Sequence, residues 1–269
     1  MTRNDLIPSC WEELMGFLFR DTWDENLERF RSPFVYRGLS DINYELISSL
    51  IRLGGPYQTL ERHLLRNFIK YAQRTTVPNE SLWNWLAIAQ HHGLPTRLID
   101  WTYSPLIALH FATANPLKFN TDGVIWCVNY VKGNQYLPAQ LLDIIRNEGS
   151  NVFTPYMLDK VCNSLTKLEK LAEREFNLFL EPPSLDDRIV NQHALFSLMS
   201  TSTGRLGHWL NEHADIYFRI IIPQHLKWEI RDKLDQANIT ERVLFPGLDG
   251  LSRWLKRHYS PKNVFLQDI

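Results

Sequence analysis

Gln90, His91, Thr96, Arg97 and Asp100 fall within one eleven-residue window of an otherwise apolar stretch, Ala89 to Ala112 (AQHHGLPTRLIDWTYSPLIALHFA). Any one of these groups alone would be read as tying a corner of the chain together. Together they are too costly to bury unless they satisfy one another in a network, and such networks are enriched at functional sites. Thr102 and Ser104 add hydroxyls, and Ser104-Pro105 has the form of an N-cap and first helical residue. The free N–H groups of that helix, with Arg97 nearby, make a seat for an anion or a phosphate.

The elements that carry these groups follow from local pattern. Ser81 to His92 has Leu82, Trp85, Leu86 and Ala89 on one helical face, and Gly93 with Pro95 stops it. Thr96 to Trp101 alternates polar and apolar as a short strand. Further upstream, Phe34 to Gly38 (FVYRG) reads as a buried strand ending in an arginine that cannot shed its charge and must find a carboxylate, carbonyls or a phosphate. Gly38 beside it admits a close approach by a ligand. Arg37 and the Thr96-Arg97-Asp100 group are therefore expected to share one pocket, although about sixty residues separate them. A second cluster, Asp187 to Phe196, contains Arg188 and Gln192, and reads as site or as solvated loop. His91 and His92 lie about 100 degrees apart on a helix, so at most one is expected to face a site. His208, Glu212 and His213 are expected on an ordinary surface helix, and no metal site is expected.

The rest of the chain supplies scaffold. The spacing predicts helices over Cys10 to Phe19 (with a Ser9/Glu12 capping box), Glu25 to Phe30, Tyr57 to Arg74, Gly204 to Ala214 and Gln224 to Ala237. A helical insert at 137–173, made of Leu137 to Arg146 and Thr154 to Ala172, is expected to cover the site. Strands are predicted at Val124 to Val131, Phe176 to Leu180 (ended by Pro182-Pro183) and Asp215 to Pro223. Val243 to Gly247 reads as a strand or loop, and Asp249 as the N-cap of a closing helix to Tyr259. Strands and helices mix without a regular βαβ beat. The fold class expected is therefore α+β, a single domain with a mixed sheet and covering helices, preceded by a helical segment at 1–33.

Twenty-nine basic and thirty acidic residues are interspersed in 269, for a net charge of −1, so no basic stripe points to nucleic acid. Three widely spaced cysteines indicate neither a disulfide framework nor a structural zinc. The N-terminus lacks the pattern of a secretory signal, and no apolar run reaches the roughly 20 residues of a membrane span. A cytoplasmic protein without membrane partners is expected.

The Tyr36-Arg37-Gly38 of the first strand and the AQHHGLPTRLIDWTYSPLIALHFA segment resemble the FRG domain family, which takes its name from a Phe-Arg-Gly at the first of these places. The resemblance covers roughly 34–196, with a looser likeness at LFPGLDGL (Leu244 to Leu251), and the domain is expected to span 34–269. Tyr36 replaces the family's Phe, a conservative aromatic change. The order of motifs is similar to that of ADP-ribosyltransferases of the Arg-Ser-Glu type, which implies a split mixed-sheet core and NAD as substrate. In such a reading Arg37 holds the pyrophosphate or the nicotinamide ribose. Tyr36, Gly38, Gln90, His91, Thr96, Arg97, Trp101, Thr102, Ser104 and Arg188 line the ligand. Glu181 or Gln192 takes the third catalytic position, and Asp100 completes the catalytic set. The activity implied is NAD-consuming, ADP-ribosyl transfer or glycohydrolysis, as in a toxin or phage-defence effector acting on a macromolecular target. Two competing expectations are a ligand-sensing or protein-interaction module without turnover, and a hydrolase using His91 with Asp100 as acid and base.

Overall fold

The computed structural model describes residues 4–72, 81–184 and 186–262. Its centre is Gly123–Asn129 (GVIWCVN), whose β-branched and aromatic residues are buried on both faces, as a strand covered on two sides must be. Around it forms one seven-stranded sheet. In chain order the strands are β1 (Asp5–Leu6), β4 (Phe34–Leu39), β5 (Leu98–Thr102), β6 (Gly123–Asn129), β7 (Asn177–Leu180), β8 (Ala194–Met199) and β9 (Tyr217–Ile222); β2 (Trp23–Asp24) and β3 (Arg29–Phe30) make a separate hairpin. The spatial order is β1-β9-β6-β4-β5-β8-β7. Only the β1–β9 pairing is parallel, so the sheet is mixed and the α+β class holds.

The sheet is weakest at one seam. β4 and β6 pair over six residues, and β5 and β8 over five, but β4 and β5 meet at the single pair Tyr36↔Thr102. The side chains on one face pack into two separate apolar clusters on either side of this seam. Leu98, Leu178, Phe196 and Leu198 lie under the helix Leu82–His91 and the insert helices. Tyr36, Ile125, Cys127 and Ile220 lie with the helices Trp11–Leu18, Pro105–Ala112 and Lys227–Gln236. The reverse face, with Val35, Ile99, Trp101 and Trp126, is covered by the helix Leu206–Glu212.

Several elements differ from the sequence reading. Glu25 to Phe30 is not helical: the Asp24 carboxylate accepts the N–H groups of Asn26 and Leu27, Glu28 takes a left-handed φ of 49°, and a hairpin results. Among its described residues, the 1–33 segment is helical at Trp11–Leu18 alone and gives an edge strand to the main sheet. Its cap falls one residue later than expected, with Glu13, not Glu12, accepting from Ser9 N and Oγ. Tyr130 and Val131 leave β6 for a short helix capped by Asn129, whose Oδ1 accepts from Lys132 N. Thr240 caps a short helix, Glu241–Leu244, where a strand or loop was expected. The closing helix Leu248–Tyr259 starts after Gly247 (φ 107°), with Asp249 in its first turn and not at its cap. The end of the helix expected at Tyr57 to Arg74 lies outside the described residues.

Candidate functional site

Where β4 and β5 part, a cavity of about 480 Å³ opens against the helix Leu82–His91 and the short helix Asp187–Asn191. Arg37 and Asp100 meet there. Arg37 Nη1 donates to the Asp100 carbonyl oxygen at 2.5 Å and lies 3.6 Å from its Oδ2. Nε and Nη2 of Arg37 have no hydrogen-bond partner among the described residues, so the guanidinium keeps donors for a ligand. Burial lowers its pKa, with Arg52 adding to the effect and Asp100 opposing it. Its side chain is 17% exposed, against 56% for Asp100. Gln90 Nε2 donates to both Asp100 carboxylate oxygens, at 3.2 and 3.1 Å, and Gln90 Oε1 accepts from Thr96 Oγ1 at 2.7 Å. Thr96 thus lies behind Gln90 and fixes its amide, while Gln90 fixes Asp100.

Both histidines line the cavity, contrary to the expectation of one. His92, the C-cap before Gly93, also lies against Phe68, with ring centroids 6.5 Å apart, and lines the neighbouring apolar cleft as well. His91 Nε2 pairs with Asp186 Oδ2, whereas the Asp100 carboxylate is held by Gln90 and faces Arg37. Asp186 also caps the helix Asp187–Asn191 through Ile189 N at 3.1 Å. Burial works against its charge, but the Ile189 N–H and His91 hold its pKa below the ordinary carboxylate value.

Arg188 lines the cavity with its guanidinium 5.1 Å above the Phe245 ring, and Gln192 is tied by Nε2 to Leu244 O at 2.8 Å. Thr102 Oγ1 donates to Gln192 O at 2.7 Å. The LFPGLDGL tail therefore holds Arg188 and Gln192 from behind without lining the cavity, and the helical insert at 137–173, expected to cover the site, packs instead in the apolar cluster beneath the helix Leu82–His91. Tyr36 lines the cavity while its hydroxyl lies 2.9 Å from Ser32 Oγ; burial pushes its pKa up to about 12. Trp101 also lines it, although its indole donates to Ser197 Oγ at 2.8 Å.

Four expected residues fall outside the cavity lining. Arg97 is buried among carboxylates, donating from Nε and Nη2 to Glu61 at 2.6–3.0 Å, from Nη2 to Glu169 at 2.9 Å and from Nη1 to Ser200 O at 2.8 Å. Burial lowers its pKa, but Glu61 and Glu169 outweigh this and raise it. Ser104 caps its helix, accepting from Ile107 N at 3.4 Å, and that helix meets the cavity through Phe111, not through its N-terminus. Thr96 acts through Gln90. Glu181 accepts from Tyr103 Oη at 3.2 Å away from the cavity. Gly38 lines the cavity, but the backbone that comes close to it is the protein's own: a Cβ there would lie 1.9 Å from Ala108 O.

Phe111, Ile189, Ala194 and Phe196 complete the wall without having been singled out in sequence. The last two carried a usable signal, since Ala194 and Phe196 are the register partners of Thr102 and Asp100 on the neighbouring strand.

Residues 32–121 match the family model of the FRG domain. The segment contains β4, the helix Leu82–His91, β5 and the helix Pro105–Ala112, and so supplies Arg37, Gln90, His91 and Asp100. No curated protein matches the chain, and no solved structure does.

Proposed function

We propose that the cavity binds NAD and cleaves its nicotinamide–ribose bond, transferring ADP-ribose to a target or to water, as a toxin or defence effector would. The observation that carries this reading is the convergence of Arg37 and Asp100 at one 480 Å³ cavity, a size typical of small-ligand sites. Arg37 offers a planar fork with free donors, suited to pyrophosphate or ribose oxygens. Asp100, aimed by Gln90, is the carboxylate that opposes the positive charge developing on the ribose as nicotinamide leaves. Glu181 lies outside the cavity lining, and Gln192, whose Nε2 is bound to Leu244 O, is uncharged, which favours Asp100 for that role.

Incubation with NAD followed by measurement of free nicotinamide tests the reading. Asp100→Asn keeps the shape and loses the charge, and is expected to lower release about 100-fold or more. Arg37→Lys keeps the charge, loses the fork and is expected to fail nearly as badly as Arg37→Ala. Equal release by wild type and all three variants would end the proposal. A binding module without turnover is the second reading, favoured by the absence of Glu181 from the cavity. NAD bound by calorimetry with no nicotinamide released would select it.

A further inference from the structure

A second titratable pair reaches the same cavity through one member, His91, whose partner Asp186 lies outside the lining, and the pair is not used by bond cleavage. His91 follows Gln90 directly, so one helix end delivers to the cavity both the group that fixes Asp100 and an imidazole. The His91 Nε2 faces the carboxylate of Asp186, which is itself fixed by its cap bond to Ile189 N and kept anionic by that bond and by the imidazole. A carboxylate on Nε2 selects the tautomer with the proton there and leaves the lone pair on Nδ1. His91 Nδ1 has no hydrogen-bond partner among the described residues and is not one of the buried unpaired atoms, so it is open to solvent. Base, orienting carboxylate and cavity are the three parts that activation of a weak nucleophile requires.

We infer that His91, positioned by Asp186, is the general base that deprotonates the acceptor, and that the acceptor is a hydroxyl group, water included. The inference rests on the glycosyl-transfer reading above. In the step, the acceptor oxygen forms a bond to the ribose anomeric carbon as the bond from that carbon to the nicotinamide nitrogen breaks. The electron pair of the broken bond neutralises the pyridinium, and the hydroxyl proton passes to His91 Nδ1 and then to solvent. No oxidant or further reactant is needed. His91 would touch the acceptor; Asp186 is a positioning residue.

The test compares acceptors that need a base with one that does not. Nicotinamide release by wild type, His91→Gln and Asp186→Asn is measured in buffer, with methanol and with azide, alongside NAD binding by calorimetry. General-base catalysis is worth about 10²–10⁴ in rate. His91→Gln is therefore expected to slow hydrolysis and methanolysis at least about 100-fold with NAD affinity within about twofold of wild type, and azide, already an anion, is expected to restore release. Asp186→Asn is expected to show the same azide-rescued pattern in milder form, and decides the matter if His91→Gln does not fold. Hydrolysis near the wild-type rate in these variants, or a loss that azide does not restore while NAD still binds, overturns the inference and leaves the cleavage reading standing. A wild type that releases no nicotinamide under any of the three conditions overturns both.

Discussion

Gly38→Ala separates two jobs that a glycine beside Arg37 could do. An added methyl would sit 1.9 Å from Ala108 O, 2.6 Å from Ala112 N and 2.9 Å from Ala108 C. Ordinary contact begins near 3.4 Å, so β4 and the helix Pro105–Ala112 must part by about 1.5 Å. All three neighbours are backbone, so no rotamer change relieves the clash. Overpacking typically costs 1–3 kcal/mol, and a clash between backbones belongs at the upper end, about 3 kcal/mol. At about 2–4 °C per kcal/mol for a chain of this size, the melting temperature should fall by about 6–12 °C. Differential scanning calorimetry or circular dichroism reads this directly. Gly16→Ala is the control, since nothing lies within 4 Å of the added methyl inside the helix Trp11–Leu18; it should stabilise by about 0.5–1 kcal/mol. A Gly38→Ala protein that melts within about 2 °C of wild type yet loses ligand would refute the packing argument and return Gly38 to a ligand role.

Arg97→Met should destabilise by about 3–5 kcal/mol in chemical denaturation, because it leaves the Glu61 carboxylate buried without its partner. Glu61→Gln in the same background should recover part of the loss, and an Arg97→Met protein of wild-type stability would show that the pair is dispensable. Ser104→Ala should cost about 1 kcal/mol with ligand affinity unchanged, since the hydroxyl caps its helix outside the cavity. His110 is buried, and burial together with Arg231 lowers its pKa from 6.5 to about 3. The unfolded chain therefore takes up a proton below pH 6.5 while the folded one does not, so stability is full above pH 6.5 and declines as pH falls from there towards 3. Between pH 7 and 5 the loss from this group is about 2 kcal/mol, and His110→Asn, which can still accept from Arg231, should remove that part of the slope in melts across pH.

Much of the frame was legible because its signals are local. Ser104 with Pro105 and Gly93 each act within a turn of where they stand, and the structure uses them as expected. What failed has physical reasons of two kinds. In Glu25 to Phe30 and at Val243 and Leu244 the segments are too short for periodicity to decide, and a single side chain, Asp24 or Thr240, sets the outcome by bonding the backbone, while Phe245 to Gly247 is loop as expected. Arg97 and His91 depend instead on partners far along the chain, Glu61 at 36 residues and Asp186 at 95, and no local pattern contains them. Convergence of Arg37 on Asp100 was legible because both stand as charged residues within otherwise mostly apolar strands, β4 and β5. Glu181 stands at a strand end, yet that strand is β7, at the sheet's edge and two positions from β5, so the same argument carried no placement.

The seam between β4 and β5 explains why the cavity is where it is. A dry void of 480 Å³ inside a single core would cost about 12 kcal/mol at about 24 cal/mol per Å³, comparable to the whole stability of a typical domain. The cost falls if the space is wet and lined by polar groups, and if it separates two cores without interrupting either. The polar lining and the separation of cores hold at this seam: the two apolar clusters lie on either side, and Arg37, Gln90, Asp100 and Gln192 line the space between. Parting two strands leaves backbone groups without ladder partners, and an unpaired buried carbonyl is expensive. Arg37 meets that need by donating Nη1 to the Asp100 carbonyl. One arginine thus closes the sheet with one nitrogen while holding two more donors free, which a lysine ammonium on a flexible stem could not do with fixed geometry. Loss of function in Arg37→Ala alone therefore does not separate sheet closure from ligand contact, and the lysine variant together with a melting curve does.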